Sequence, residues 1–270
     1  MRVAWLTDIH LNFLNDTKRR RYFESVKEQA DAVAISGDIG ESHELAQYLL
    51  ELDEVIQKPI YFVLGNHDFY RGSITKTRQR IAQLVSETKH LKCLTTMGIT
   101  ELSPQTAIIG HDGWPDGRLG DFQGTEVILN DHLLITEIAQ WYKNGAIDKV
   151  GLSNTMISLA NEAAQHFEQL LSEAVTKYTN IIAITHVPPF REAAWYQGKI
   201  SGDDYLPYFA CKIVGDVLKK VMQSSPKSRL IVLCGHTHSG GEVQILPNLQ
   251  VLTGEAKYGE PVVERVLEVG

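Results

Sequence analysis

Five short segments of this chain concentrate side chains that hold divalent cations: Asp8-Ile9-His10, Gly37-Asp38, Gly65-Asn66-His67-Asp68, Thr185-His186 and Gly235-His236-Thr237-His238. Carboxylate and carboxamide oxygens with imidazole nitrogens, and no thiolate among them, suit Mn, Fe or Zn ions, and the set is too nitrogen-rich for Mg or Ca. Asp-x-His or Gly-Asp alone arises by chance in most chains. Five such blocks in one chain imply a centre built for two cations. A lone histidine is more often a satisfied core or surface residue, and that reading is kept for His43, His90, His132 and His166, which lie on helical or irregular stretches. For His10, His67, His186, His236 and His238 the joint pattern reverses it.

Each block follows an apolar, β-branched run: Val3 to Leu6, Ala32 to Ile35, Ile60 to Leu64, Ile181 to Ile184 and Leu230 to Leu233. Runs of this length bounded by glycine or a polar turn read as buried strands, so the blocks should gather along one edge of sheet structure. Gly37, Gly65 and Gly235 stand directly before candidate ligands, where positive φ or a close backbone approach is cheap only for glycine. Helical spacing is expected near Lys18 to Ala30, Ser42 to Ile56 and Ser73 to His90, with Pro59 restarting the chain into a strand. Short runs at Leu91 to Leu94, Ile99 to Leu102 and Ala107 to Ile109 suggest a hairpin or meander. Helices are expected again near Asp131 to Trp141, Thr155 to Tyr178, capped by Ser153 or Asn154, and Ala210 to Met222. Pattern alone implies a layered α/β fold with a mixed sheet arrangement.

In their order, the blocks resemble the calcineurin-like metallophosphoesterase family, over Asp8 to His238. That resemblance implies α/β architecture with two packed mixed β-sheets flanked by helices, the four-layer αββα metallophosphoesterase fold. It also implies metal-dependent hydrolysis of phosphate esters. By the same resemblance Asp8, His10 and His238 hold a first metal, Asn66, His186 and His236 a second, and Asp38 bridges them. Two divalent transition-metal ions so placed can hold a bridging water, lower its pKa and clamp the phosphoryl oxygens, giving hydroxide attack with no covalent enzyme intermediate. The leaving group then needs a proton, for which His67 is the expected donor, with Asp68 expected to accept a hydrogen bond from His67 and fix its tautomer. The loop after Ala107 to Ile109 either offers His111, Asp112 and Arg118 as substrate contacts, Arg118 through its guanidinium fork, or is a Gly-Asp turn with a surface Arg. Between Val187 and Phe209 lies a long connection whose Trp195, Tyr196, Tyr205, Tyr208 and Phe209 could stack on an aromatic group or pack the loop onto its own domain.

The outer blocks lie at opposite ends of the chain, so residues 1–270 are expected to form a single domain. With 43% apolar residues in 270 the chain can build a proper core, and its formal charge is −7. One short basic cluster, Lys18-Arg19-Arg20-Arg21, is expected on the solvated face of the first helix. No basic stripe stands ready for a nucleic-acid polymer, which argues against a DNA nuclease. The partner expected is a small phosphorylated substrate, such as a nucleotide phosphodiester or a phosphomonoester, with a protein phosphatase as the alternative enzyme. A non-catalytic binding module on the same fold should have lost ligands or the histidine of Gly65-Asn66-His67-Asp68, and none is missing. The chain enters its first strand at once and has no long apolar run, so a cytoplasmic protein without a membrane span is expected. Cys93, Cys211 and Cys234 show no Cys-x-x-Cys spacing and read as small buried residues rather than disulfide partners or ligands.

Overall fold

The computed structural model describes residues 1–270. In chain order its strands are β1 (Arg2–Leu6), β2 (Ala32–Ser36), β3 (Ile60–Val63), β4 (Leu91–Cys93), β5 (Thr100–Ser103) and β6 (Thr106–Gly110). There follow β7 (Tyr142–Lys143), β8 (Ala146–Ile147), β9 (Asn180–Ile184), β10 (Trp195–Tyr196), β11 (Lys199–Ile200), β12 (Arg229–Cys234), β13 (Gly241–Leu246), β14 (Leu249–Thr253) and β15 (Arg265–Glu268). The helices are α1 (Asp16–Gln29), α2 (Ser42–Ile56), α3 (Ile74–Glu87), α4 (Asp131–Leu134), α5 (Thr136–Ala139), α6 (Lys149–Lys177), α7 (Leu206–Phe209) and α8 (Lys212–Gln223).

Two large mixed sheets form the centre, one of order β15-β1-β2-β3-β4 and the other β13-β14-β12-β9-β6-β5. Their inner strands are parallel, and antiparallel partners occupy the rims: β15 on the first sheet, β13 and β5 on the second. The inner strands are apolar on both faces because both faces are covered. Val3 and Trp5 of β1, Ala32 and Ala34 of β2, and Ile182 and Ile184 of β9 meet in the seam between the sheets. Their neighbours Ala4, Leu6, Val33 and Ile35 face α1, α2 and α3 on one outer side. Ile181 and Ala183 face α6 and α8 on the other. Four layers result, αββα. No helix is long and apolar enough to cross a membrane.

Four local expectations need correction. The Leu91 run belongs to no hairpin: β4 pairs parallel with β3, while β5 and β6 pair antiparallel in the other sheet. A 3₁₀ turn at Leu94–Thr96 carries the chain across, and short apolar runs do not reveal which sheet they join. Helix α6 starts earlier than expected, because Asp148 caps it by accepting from the N–H groups of Val150 and Gly151, both at 3.1 Å. The Asp131 to Trp141 stretch splits into α4 and α5, since extended Ile135 forms a bridge with Gly72 and Thr136 N–H donates to Gly72 C=O at 2.9 Å. In the basic cluster Lys18, Arg20 and Arg21 are exposed, but Arg19 is buried against Glu51, Asp16 and the Leu14 carbonyl. The three cysteines are buried and unpaired.

Candidate metal centre

The five blocks sit at the carboxyl ends of β1, β2, β3, β9 and β12, the edge at which open α/β sheets place their ligands. Hydrogen bonding continues past the strand ends and fixes the loops: Asp8 N–H donates to Gly37 C=O at 3.1 Å, His10 N–H to Asp38 C=O at 3.0 Å and Gly235 N–H to His186 C=O at 3.0 Å. Nine non-glycine residues have positive φ, and five of them are Asp8, His10, Asp38, His236 and His238. Left-handed backbone costs such residues roughly 1–2 kcal/mol each, and it persists where surrounding contacts over-determine it. Of the three preceding glycines only Gly37 itself has positive φ, at 95°. Gly65 and Gly235 serve close approach instead: a Cβ on Gly65 would strike the Asp38 carboxylate and the His186 ring, and one on Gly235 the Asp8 carboxylate and Thr7 hydroxyl.

Two clusters of donor atoms emerge. In the first, one ligand atom from each of Asp8, His10, Asp38 and His238 lies within 4.8 Å of the others. His10 Nε2 is 3.1 Å from His238 Nε2, and His10 Nδ1 is buried without a partner. In the second, Asn66 Oδ1 lies 2.9 Å from both His186 Nε2 and His236 Nδ1, and those nitrogens are 3.2 Å apart. Asp38 touches both, with Oδ1 3.4 Å from His186 Nε2 and Oδ2 3.8 Å from His10 Nε2.

The second cluster is the sharper test of fit. His186 Nδ1 faces the Ser36 carbonyl at 2.8 Å and His236 Nε2 the Tyr208 carbonyl at 2.9 Å, so each neutral ring carries its proton there. Asn66 Nδ2 donates to Asp131 Oδ1 at 2.8 Å and to the Tyr70 hydroxyl at 3.2 Å, which turns Oδ1 inward. Three lone-pair atoms, with no proton among them, therefore converge beside the Asp38 carboxyl. That arrangement repels itself unless a cation sits at its centre, and outward N–H groups held by carbonyls are the usual support of metal-bound imidazoles. The residues present fit a divalent ion.

Electrostatics point the same way. Burial holds the imidazoles neutral, with pKa values lowered to about 3 for His10 and about 4 for His186 and lowered also for His236. Asp38 is pushed well above the usual carboxylate range by burial and by Asp8 and Asp68. Burial also raises Asp8, but the His238 hydrogen bond and the electrostatic influence of the His186, His238 and His10 rings outweigh it and hold Asp8 low. Neutral lone pairs beside crowded carboxylates form a cation-seeking pocket.

His67 lies over this pocket, its Nε2 3.9 Å from Asp38 Oδ2 and its ring stacked on Tyr70 with centroids 4.1 Å apart. Asp68 does not meet it. The Asp68 carboxylate accepts from Ile39 N–H, Gly40 N–H and Gly65 N–H at 2.8–2.9 Å, tying the loops after β2 and β3 together. The expected Asp68–His67 pair is thus corrected: chain adjacency placed the two together, but the side chains leave the backbone in different directions.

His111, Asp112 and Arg118 are likewise engaged elsewhere. His111 is buried, with Nδ1 accepting from Gly113 N–H and Nε2 3.6 Å from Glu162. Asp112 accepts from Leu64 N–H, Thr95 and Arg78, which braces the loop before Asn66. Arg118 pairs with Asp116. His111 and Asp112 are buried in these contacts, while the Arg118 side chain is 32% exposed. In the Val187 to Phe209 segment Tyr196, Tyr205 and Phe209 pack on one another at 5.1–5.4 Å, and Phe209 backs His236 at 5.5 Å.

Sequence reasoning missed Asp131, Tyr70, Phe13 and Tyr258. Asp131 and Tyr70 orient Asn66, the Tyr70 hydroxyl donating to Asp131 at 2.7 Å. Tyr258 lies against His10 and His238, with centroids 4.7 and 5.1 Å apart. Tyr70, four residues after Asn66, and Phe13, three after His10, lay beside motif blocks; Asp131 and Tyr258 come from segments without motif character.

A four-layer fold with two acid and imidazole clusters sharing one carboxylate defines the class as a metal-dependent hydrolase. The chain matches the family model of calcineurin-like phosphoesterases over residues 1–240, and it belongs to that family, which uses a binuclear divalent metal centre. Its structure is similar to that of a phosphopantetheinyl hydrolase from Mycobacterium tuberculosis, at TM-score 0.62 and 11% identity over 95% of this chain and 89% of that one. It is also similar to a dimetal phosphatase from Danio rerio, at TM-score 0.57 and 16% identity over 98% and 88%. At such identities the likeness is one of fold. No curated protein matches the sequence.

Proposed function

We propose that residues 1–270 form one domain that hydrolyses a small phosphate ester, with a nucleotide-type phosphodiester as the preferred substrate over a monoester. Asp8, His10, Asp38 and His238 hold one divalent transition-metal ion in this reading, and Asp38, Asn66, His186 and His236 the other. The observation that carries it is Asp38, whose two carboxylate oxygens each face a different cluster. Two such ions supply Lewis acidity toward the phosphoryl oxygens and a water acidified enough to act near neutral pH. An N/O donor set without thiolate favours Mn, Fe or Zn.

The chain's own part is to position and to donate. The left-handed backbone at five ligand positions and the carbonyl-held rings keep both clusters in place before substrate arrives. In this reading His67 donates to the leaving oxygen, a role supported by its position over the shared Asp38 carboxylate. Burial and neighbouring His10 lower its pKa to about 2, so it is neutral in the bare protein and offers an N–H to the leaving oxygen. The deciding experiment assays phosphomonoesters, phosphodiesters and cyclic nucleotides with added Mn²⁺ and measures bound metal. Turnover of diesters at two ions per chain is expected. Full activity at one ion, with no gain from a second, would refute the shared centre.

A further inference from the structure

Two large aromatic side chains stand exposed beside the first cluster. Phe13 is 52% and Tyr258 46% exposed, and their rings touch with centroids 4.5 Å apart. They come from distant segments. Phe13 ends the 3₁₀ turn Leu11–Phe13 directly after His10, a turn pinned by Leu11 N–H to Ile39 C=O at 2.8 Å and by the fully buried Leu11 side chain. Tyr258 rides a turn closed by Glu260 N–H to Lys257 C=O at 3.1 Å and tied to the metal loop by Ala256 N–H to His238 C=O at 3.4 Å. Gly259, at φ 78°, lets this turn lie against the Phe13 carbonyl, which is 3.7 Å from where its Cβ would be. The backbone on both sides is anchored, yet the two rings keep half their surface open.

Tyr258 is 6.4 Å, centroid to centroid, from His67, as well as being packed on His10 and His238. The organic group of any ester seated on the clusters therefore starts within about one ring's length of it. By contrast the aromatics of the Val187 to Phe209 segment spend their faces on each other and on His236.

We propose that Phe13 and Tyr258 form a stacking platform for a planar aromatic ring, such as a nucleobase, carried by the organic group of the substrate. This rests on the phosphate-ester reading above and narrows its substrate class. An open π-face takes any planar ring, so the platform selects for the presence of a ring and discriminates little among rings.

The test compares adenosine 5′-monophosphate with ribose 5-phosphate, and the methyl diesters of both, on the Mn²⁺-loaded protein. Each pair shares its scissile ester and differs only in the base. The ring-bearing member is expected to lead in kcat/KM by roughly 5- to 150-fold, the range of one stacking contact. Tyr258→Leu and Phe13→Leu, at exposed positions, should collapse that ratio mainly through KM. A ratio near one in the wild type, or an equal fall for both members in the variants, would overturn the platform. Adenosine binding by saturation-transfer NMR separates the two readings. If no ester is turned over, base signals seen in the wild type and lost in Tyr258→Leu still uphold the platform while the hydrolytic reading fails, and their absence overturns the platform as well.

Discussion

Replacing Asp131 by alanine isolates the side chain that orients Asn66. Asp131 Oδ1 accepts from Asn66 Nδ2 at 2.8 Å and from the Tyr70 hydroxyl at 2.7 Å, and all three residues are buried. Each buried donor left without its acceptor costs about 1–3 kcal/mol. Asn66 Nδ2 keeps the Tyr70 oxygen at 3.2 Å as a second acceptor, which puts the expected loss of stability near the low end, about 2–3 kcal/mol in total. The larger consequence is for the second cation. With Asp131 gone nothing charged opposes a turn of the carboxamide, and a flip would point an N–H₂ group at His186 Nε2 and His236 Nδ1, where Oδ1 now lies 2.9 Å away. Loss of such an outer partner typically weakens metal binding 10- to 100-fold.

Calorimetric titration of the metal-free protein with Mn²⁺ reads both sites. Asp131→Ala should weaken one binding step by ~10- to 100-fold and leave the other near wild type, because Asp8, His10 and His238 have no contact with Asp131 among their hydrogen bonds. Asp131→Asn keeps an acceptor oxygen and should fall between the two. Equal weakening of both steps, or none, would show that Asn66 is not held in place from Asp131.

Asp38→Ala should remove both cations and activity, whereas Asn66→Ala should chiefly loosen one; equal metal loss in the two variants, measured by metal analysis, would contradict the shared carboxylate. His67→Ala should retain its metals and lose ~10²–10⁴ in rate, with the deficit shrinking for nitrophenolate leaving groups; a uniform defect would move the donor role elsewhere. Asp68→Asn should lower thermal stability and metal affinity without that leaving-group dependence, since the carboxylate binds the backbone of both loops. In the metal-free protein the pKa values of six imidazoles (His10, His67, His132, His166, His186 and His236) are lowered, and those of three carboxyls (Asp38, Asp68 and Glu264) are raised. As pH falls from about 7 to about 4 the unfolded chain takes up more protons on histidine than the native state takes up on those carboxyls, so the melting temperature should fall; a flat profile in EDTA would refute this charge balance.

The sequence by itself determined what is local. An apolar run ending in glycine or a polar turn specifies a buried strand and a sharp exit, so the five blocks and the strands before them were legible, as were the three helices of the first half. Their order also identified the family. Tertiary structure decided whatever depends on partners far apart in the chain. Sheet order and register set which ligands share a cluster, bringing His10 to His238 and His186 to Asn66 across separations of 228 and 120 residues. The same long reach brought Asp131, 65 residues away, to Asn66 and Tyr258 to Phe13, and neither segment carries a motif. Local reading failed where adjacency suggested a contact, at Asp68 beside His67, and it gave no sign that His111 and Asp112, offered as substrate contacts, are buried. Side-chain direction at a strand end follows from backbone φ and from what the neighbouring loops leave unpaired, and both are set only once the two sheets have packed.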